Sequence, residues 1–159
     1  MIKLHQAKLS DTFDVIQVLN GALEKKRSYG DDAWGDGLFT ASEILPHIEA
    51  GELYIVLESG DVTGVVVLQE TDENMWDIDG LDNTAFYIHK LSSLRKGLGI
   101  EMIEASVLLA KKKNKTCLRL DCNSENVPLC TYYERQGFHE VRRNSKSTTN
   151  TMYMQKDLS

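Results

Sequence analysis

Along this chain, apolar residues recur at either helical or strand spacing, and the pattern predicts most of the elements in turn. Ile2–His5 alternates weakly and predicts a short first strand. Ser10 or Asp11 is a suitable N-cap, and Phe13, Ile16, Val18, Leu19 and Leu23 recur at helical spacing to about Lys26. Ser28 to Thr40 holds three glycines, three aspartates and Trp34, which predicts a loop. A second, short helix opens at Ser42–Glu43 and ends near Ala50–Gly51. Leu53–Glu58 and Val62–Gln69 are apolar runs on either side of Ser59–Gly60–Asp61, a hairpin signal.

Thr71 to Asn83 is an acidic connection that carries no basic residue. It reads either as a solvated loop or as a negative rim that steers a cationic amine. Ala85–Leu91 is an apolar strand, and a long helix begins at about Gly99. Ile100, Ile103, Val107 and Ala110 form one face of that helix, with Met102, Ser106 and Leu109 beside it. Lysines and Asn114 mark its end. Thr116–Cys122 alternates as a strand, and Ser124 to Gln136 is a helix with Pro128 in its first turn and Gly137 just past its end. Phe138–Arg143 and Thr149–Gln155 predict a closing antiparallel pair joined by a polar turn at Asn144–Thr148.

With 159 residues, 42% hydrophobic and 26% charged, this is the composition of one ordinary globular domain, residues 1–159. The net charge of -6 argues against a nucleic-acid partner, because phosphate backbones need a cationic surface. Neither a signal core nor a run of apolar residues long enough to span a membrane is present, so a cytoplasmic protein without a membrane partner is expected. Cys117, Cys122 and Cys130 then read as reduced, packed thiols. Their spacing with His139 fits no usual zinc pattern, so no metal is expected.

Candidate chemistry concentrates where the strand Ala85–Leu91 passes through Gly97 and Gly99 into the long helix. Strand, glycine turn and helix start place unpartnered backbone N–H groups at one point, where the helix dipole favours an anion. Arg95 and Lys96 add two cations. Either this is a seat for a diphosphate, or it is a structural turn with a solvated basic pair. The patterns of the two best-known nucleotide loops are absent.

Two motifs resemble those of the GNAT acetyltransferases. One is Leu94-Arg95-Lys96-Gly97-Leu98-Gly99, against the family's [RQ]-x-x-G-x-[GA]. The other is Asn126 followed by Tyr133-Glu134-Arg135-Gln136-Gly137-Phe138, against N-x₆-Y-E-x-x-G-F. Leu94 departs from the usual Arg or Gln, and the run from His89 to Gly97 is shorter than usual by about two residues. The resemblance implies an α/β (α+β) GNAT fold: a mixed, mostly antiparallel central sheet flanked by helices, with strands four and five splayed to hold acetyl-CoA.

It also implies an acetyl-CoA-dependent N-acetyltransferase acting on a primary amine of a small molecule or peptide. A homodimer stays open among its assemblies. On that resemblance Leu91, Ser93, Arg95, Lys96, Gly97, Leu98, Gly99, Ile100 and Asn126 would bind the co-substrate, and Tyr133 would protonate the leaving thiolate. His89 is the most economical base for the amine, with Glu70 or a water as alternatives. A non-catalytic acyl-CoA-binding protein and a nucleotide-binding module are the rival readings.

Overall fold

The apolar pair around Ser59–Gly60 folds as a β-hairpin in the computed structural model, which describes residues 2–144 and 150–159. Strand β2 (Leu53–Glu58) pairs antiparallel with β3 (Asp61–Gln69). Both turn residues have positive φ, Ser59 at 53° and Gly60 at 83°, the twist that two-residue hairpin turns require. A first strand, β1 (His5–Gln6), adds to β2. It is shorter than the predicted Ile2–His5: pairing further toward Ile2 would fall opposite Val56 and Leu57, where β2 is bulged.

Among the described residues seven strands follow the order β1-β2-β3-β4-β5-β7-β6, with β4 Ala85–Ser93, β5 Cys117–Asn123, β6 His139–Arg143 and β7 Thr151–Asp157. The β4–β5 step is parallel and registers Ala85–Tyr87 against Cys117–Arg119. The other pairings whose register is described are antiparallel, the closing pair β6–β7 among them, as the sequence predicts. The turn predicted at Asn144–Thr148 and the predicted strand start at Thr149 fall largely outside the described residues.

The chain packs as two compact units, Met1–Leu68 with His89–Ser106, and Gln69–Ile88 with Val107–Ser159. In the first, helices α1 (Thr12–Ser28) and α2 (Ala41–Glu49) lie on the hairpin. Val15, Val18 and Leu19 of α1 and Ile44 and Ile48 of α2 share a core with Leu53, Ile55, Val65 and Val67. The buried stripe of α1 is Val15, Val18, Leu19 and Leu23. Phe13, which the sequence pattern puts on that stripe, is 70% exposed, because it lies roughly 120° round the helix from Leu19. β3 is buried on both faces, since Gly64 points at Leu98 and Met102 of the long helix. The predicted Ser28–Thr40 loop is pinned: Arg27 donates to the carbonyls of Gly35 and Gly37, and Lys26 Nζ sits 4.7 Å from the Trp34 ring centroid.

The second unit has a different kind of core. The acidic connection contains a single helical turn, α3 (Glu73–Trp76), and a 3-10 turn at Asp77–Leu81. Trp76 is 2% exposed and meets Tyr87 and Tyr153 edge to face at 5.8 and 5.0 Å. Three carboxylates of this segment find cations elsewhere in the unit: Asp77 and Asp79 pair with Arg142, Asp82 with Arg119. The structure therefore makes the segment a folded cover whose acidic charge is compensated only in part, with the side chains of Asp77, Asp79 and Asp82 still partly exposed to solvent.

Closure of that cover depends on Gly80. Asp72 N–H donates to the Gly80 carbonyl at 2.8 Å, and a Cβ on Gly80 would overlap the Asp72 carbonyl. Since the obstacle is backbone, Gly80→Ala is expected to cost about 1–3 kcal/mol or more. Urea unfolding measures this, and a loss under about 0.5 kcal/mol, the level of an unconstrained surface change, would show that the segment opens freely.

Candidate active site

In the first unit, β4 leaves regular strand geometry at Lys90, a non-glycine residue at φ 55°. The Ser92 hydroxyl donates to the Lys90 carbonyl at 3.1 Å, and Lys90 Nζ lies 5.6 Å from the Phe39 ring centroid. Such a residue inside a strand turns the following N–H groups away from the ladder direction. His89, Leu91 and Ser93 are half-buried around this kink. The chain then ties back to the hairpin, Leu94 N–H donating to the Thr63 carbonyl at 2.9 Å.

The next turn aims the helix start. Leu98 N–H returns to the Arg95 carbonyl at 3.3 Å, and Gly97 stands at φ 86°, a conformation that glycine adopts without penalty. Helix α4 (Leu98–Lys112) begins there, one residue before the predicted start. Glu101 N–H reaches the Gly97 carbonyl only at 3.5 Å, so the first-turn amides, including those of Gly99 and Ile100, are weakly engaged or beyond intrahelical reach. Leu98 is fully buried and anchors the turn, while Arg95, Lys96 and Gly97 face solvent. A Cβ at Gly97 would meet nothing within 4 Å, so the glycine is required by its φ and not by crowding.

Ile100, expected on the buried face of α4, is 42% exposed; the core side runs through Leu98, Met102, Ile103, Ser106 and Ala110. Arg95 is not a loose cation. Its Nε donates to both oxygens of Glu58, at 3.1 and 2.9 Å, and its Nη2 lies 2.8 Å from Glu58 and from Glu101. These two carboxylate partners escape sequence reasoning, since they lie 37 and 6 residues from Arg95 without a shared motif.

The second unit holds the other two predicted residues. Asn126 is the N-cap of helix α5 (Val127–Arg135), its carboxamide oxygen accepting from Leu129 N–H at 3.2 Å. Pro128 sits in the first turn, and Gly137, at φ 94°, ends the helix as its sequence position predicts. Tyr133 projects from α5, 9% exposed, with Tyr132 and Phe138 edge-on at 5.4 and 5.8 Å. Burial first, and then Cys122, Tyr132, Asp121 and Cys130, push its phenol well above the ordinary tyrosine value. It remains a proton donor throughout the neutral range.

On this mixed sheet a kinked strand leads through a left-handed glycine into a helix N-terminus. The chain belongs to the acetyltransferase (GNAT) family, whose model matches residues 19–138. It is 27% identical over 143 residues to YesJ, an uncharacterised N-acetyltransferase of Bacillus subtilis strain 168, with 83% of this chain and 78% of that one covered. A GNAT-family acetyltransferase from Listeria monocytogenes 4b F2365 has a similar structure, with a TM-score of 0.80 at 23% identity over 99% of this chain and 95% of that one. The acetyltransferase yncA from Salmonella typhimurium, solved with its cofactor acetyl-CoA, is similar with a TM-score of 0.73 at 17% identity, over 100% and 95% of the two chains. No described helix is long and apolar enough to cross a membrane.

Proposed function

We propose that residues 1–159 act as one acetyl-CoA-dependent N-acetyltransferase domain that acetylates a primary amine of a small molecule or an exposed peptide amine. The observation that carries this reading is the segment from Lys90 to Glu101, in which a left-handed residue kinks β4 and a left-handed glycine opens α4. The acetyl-CoA found in the Salmonella relative supports the choice of co-substrate. Backbone N–H groups from Lys96 to Ile100 hold the diphosphate, and Leu91 and Ser93 offer backbone groups to the pantetheine arm, which Asn126 also contacts. An N–H freed by the Lys90 kink polarises the thioester carbonyl.

The amine nitrogen attacks that carbonyl carbon, the C–S bond breaks, and the Tyr133 hydroxyl supplies the proton for the departing thiolate. His89 takes the proton that the amine must lose. Glu70 is the weaker choice of base: its hydrogen bond from Lys115, at 2.7 Å, holds its carboxyl below the usual range, so it resists protonation. We place the protein in the cytoplasm, in keeping with three cysteines that are all outside disulfides.

Incubation with acetyl-CoA and a panel of amines, read as release of free thiol, tests the reaction. Turnover on at least one amine is expected. Tight acetyl-CoA binding without turnover on any amine would favour the non-catalytic acyl-CoA-binding reading, whose motive is Leu94, 60% exposed at the position where GNAT relatives carry Arg or Gln. Gly97→Val tests the seat itself. A β-branched residue at φ 86° costs about 1–2 kcal/mol, so the loop shifts and acetyl-CoA affinity falls roughly tenfold. Unchanged affinity by calorimetry would place the diphosphate elsewhere.

A further inference from the structure

We infer that Arg95 serves acetyl-CoA binding through Glu58 and Glu101, as their counter-charge, and is not itself a ligand of the diphosphate. The inference rests on the acetyltransferase reading and adds to it a role for one charged triad. Arg95 presents its Nε–Nη2 edge to Glu58, at 3.1 and 2.9 Å from Nε and 2.8 Å from Nη2, and the same Nη2 reaches Glu101 at 2.8 Å. A diphosphate would have to displace a forked carboxylate to use that edge. The Thr63 hydroxyl also donates to Glu58, at 2.7 Å, and the Thr63 carbonyl receives Leu94 N–H at 2.9 Å. The triad thus ties the end of β2 to the backbone that sets up the glycine turn.

The sign of the charge decides what Arg95 does there. Glu101 lies in the first turn of α4, next in sequence to the amides proposed to receive the diphosphate, and Glu58 ends the strand bound to the same guanidinium. The Arg95 hydrogen bond, and then that of Thr63, hold Glu58 below the usual carboxylate range, so it is ionised at neutral pH. With Arg95 in place the triad carries one net negative charge. Without it, two carboxylates face an incoming polyanion. All three side chains are partly exposed, so salt screens this repulsion.

Four proteins test the idea: the unaltered chain, Arg95→Gln, Glu58→Gln/Glu101→Gln, and the triple variant, each read as KM for acetyl-CoA, kcat and melting temperature. At low salt Arg95→Gln is expected to raise KM roughly five- to tenfold, with kcat within about twofold and a smaller penalty at high salt. In the Glu58→Gln/Glu101→Gln background the same change should move KM by less than about twofold, because there is no negative charge left to compensate. Equal penalties in both backgrounds would make Arg95 a phosphate ligand and overturn the inference. So would an unchanged KM in Arg95→Gln, or a loss confined to kcat. If Arg95→Gln does not fold, Arg95→Lys replaces it: a retained positive charge should keep KM near the unaltered value, and a rise of about fivefold would overturn the counter-charge role. Failure of the unaltered chain to bind acetyl-CoA is a separate outcome, which removes the acetyltransferase reading and this inference with it.

Discussion

Tyr133→Phe is expected to lower kcat by about 10²–10⁴-fold, the usual contribution of a positioned acid, with KM for acetyl-CoA nearly unchanged. The ring packs against Tyr132 and Phe138, and phenylalanine keeps both edge contacts. Only the hydroxyl is lost, so a fall in turnover reports its chemistry and not a collapse of α5. Because burial raises the phenol's pKa, the donor is fully protonated at neutral pH, and any alkaline limb of the rate profile near neutrality belongs to another group.

The same shift has a consequence for stability. Above about pH 10 the unfolded chain's phenol ionises while the buried one does not, so its contribution is present below that pH and is lost as pH rises. The variant lacks this loss and should withstand alkali better than the unaltered chain. Unchanged turnover with each amine that serves as substrate would take Tyr133 out of the mechanism.

Much of the fold was legible because it depends on local signals. The Ser59–Gly60 turn, Pro128 in the first turn of α5 and Gly137 at its end each act through a neighbouring residue's φ or N–H, and each stands where the pattern predicts. Phe13 and Ile100 fall outside the buried stripes because each lies roughly 120° round its helix from the buried residues, Leu19 in α1 and Ser106 in α4, while still matching part of a helical spacing. In the candidate site, the glycine turn could be read from sequence since glycine and helix start are adjacent. The Lys90 kink could not, as lysine carries no signal for positive φ. Arg95 shows the limit of counting cations: its two carboxylates come from β2 and α4, and nothing in Leu94–Gly99 announces them.

Trp76→Ala is expected to destabilise the second unit by about 3–5 kcal/mol, because it empties a buried aromatic site. The indole, 2% exposed, joins α3 to Tyr87 of β4 and Tyr153 of β7, and two arginines lie over it, Arg119 at 4.9 Å and Arg142 at 5.7 Å from the ring centroid. Those arginines also hold Asp79 and Asp82, so the ring organises the compensation of the acidic segment as well as its burial. Trp76→Leu separates the two contributions. Leucine restores part of the apolar volume but offers no π face to a guanidinium, so it should recover some of the loss and leave a deficit of about 1 kcal/mol or more. Chemical denaturation of both variants measures the difference. Equal stability of Trp76→Leu and the unaltered chain would mean that volume alone holds the segment down; a cost below about 1 kcal/mol for Trp76→Ala, typical of a surface site, would mean that the indole does not anchor it.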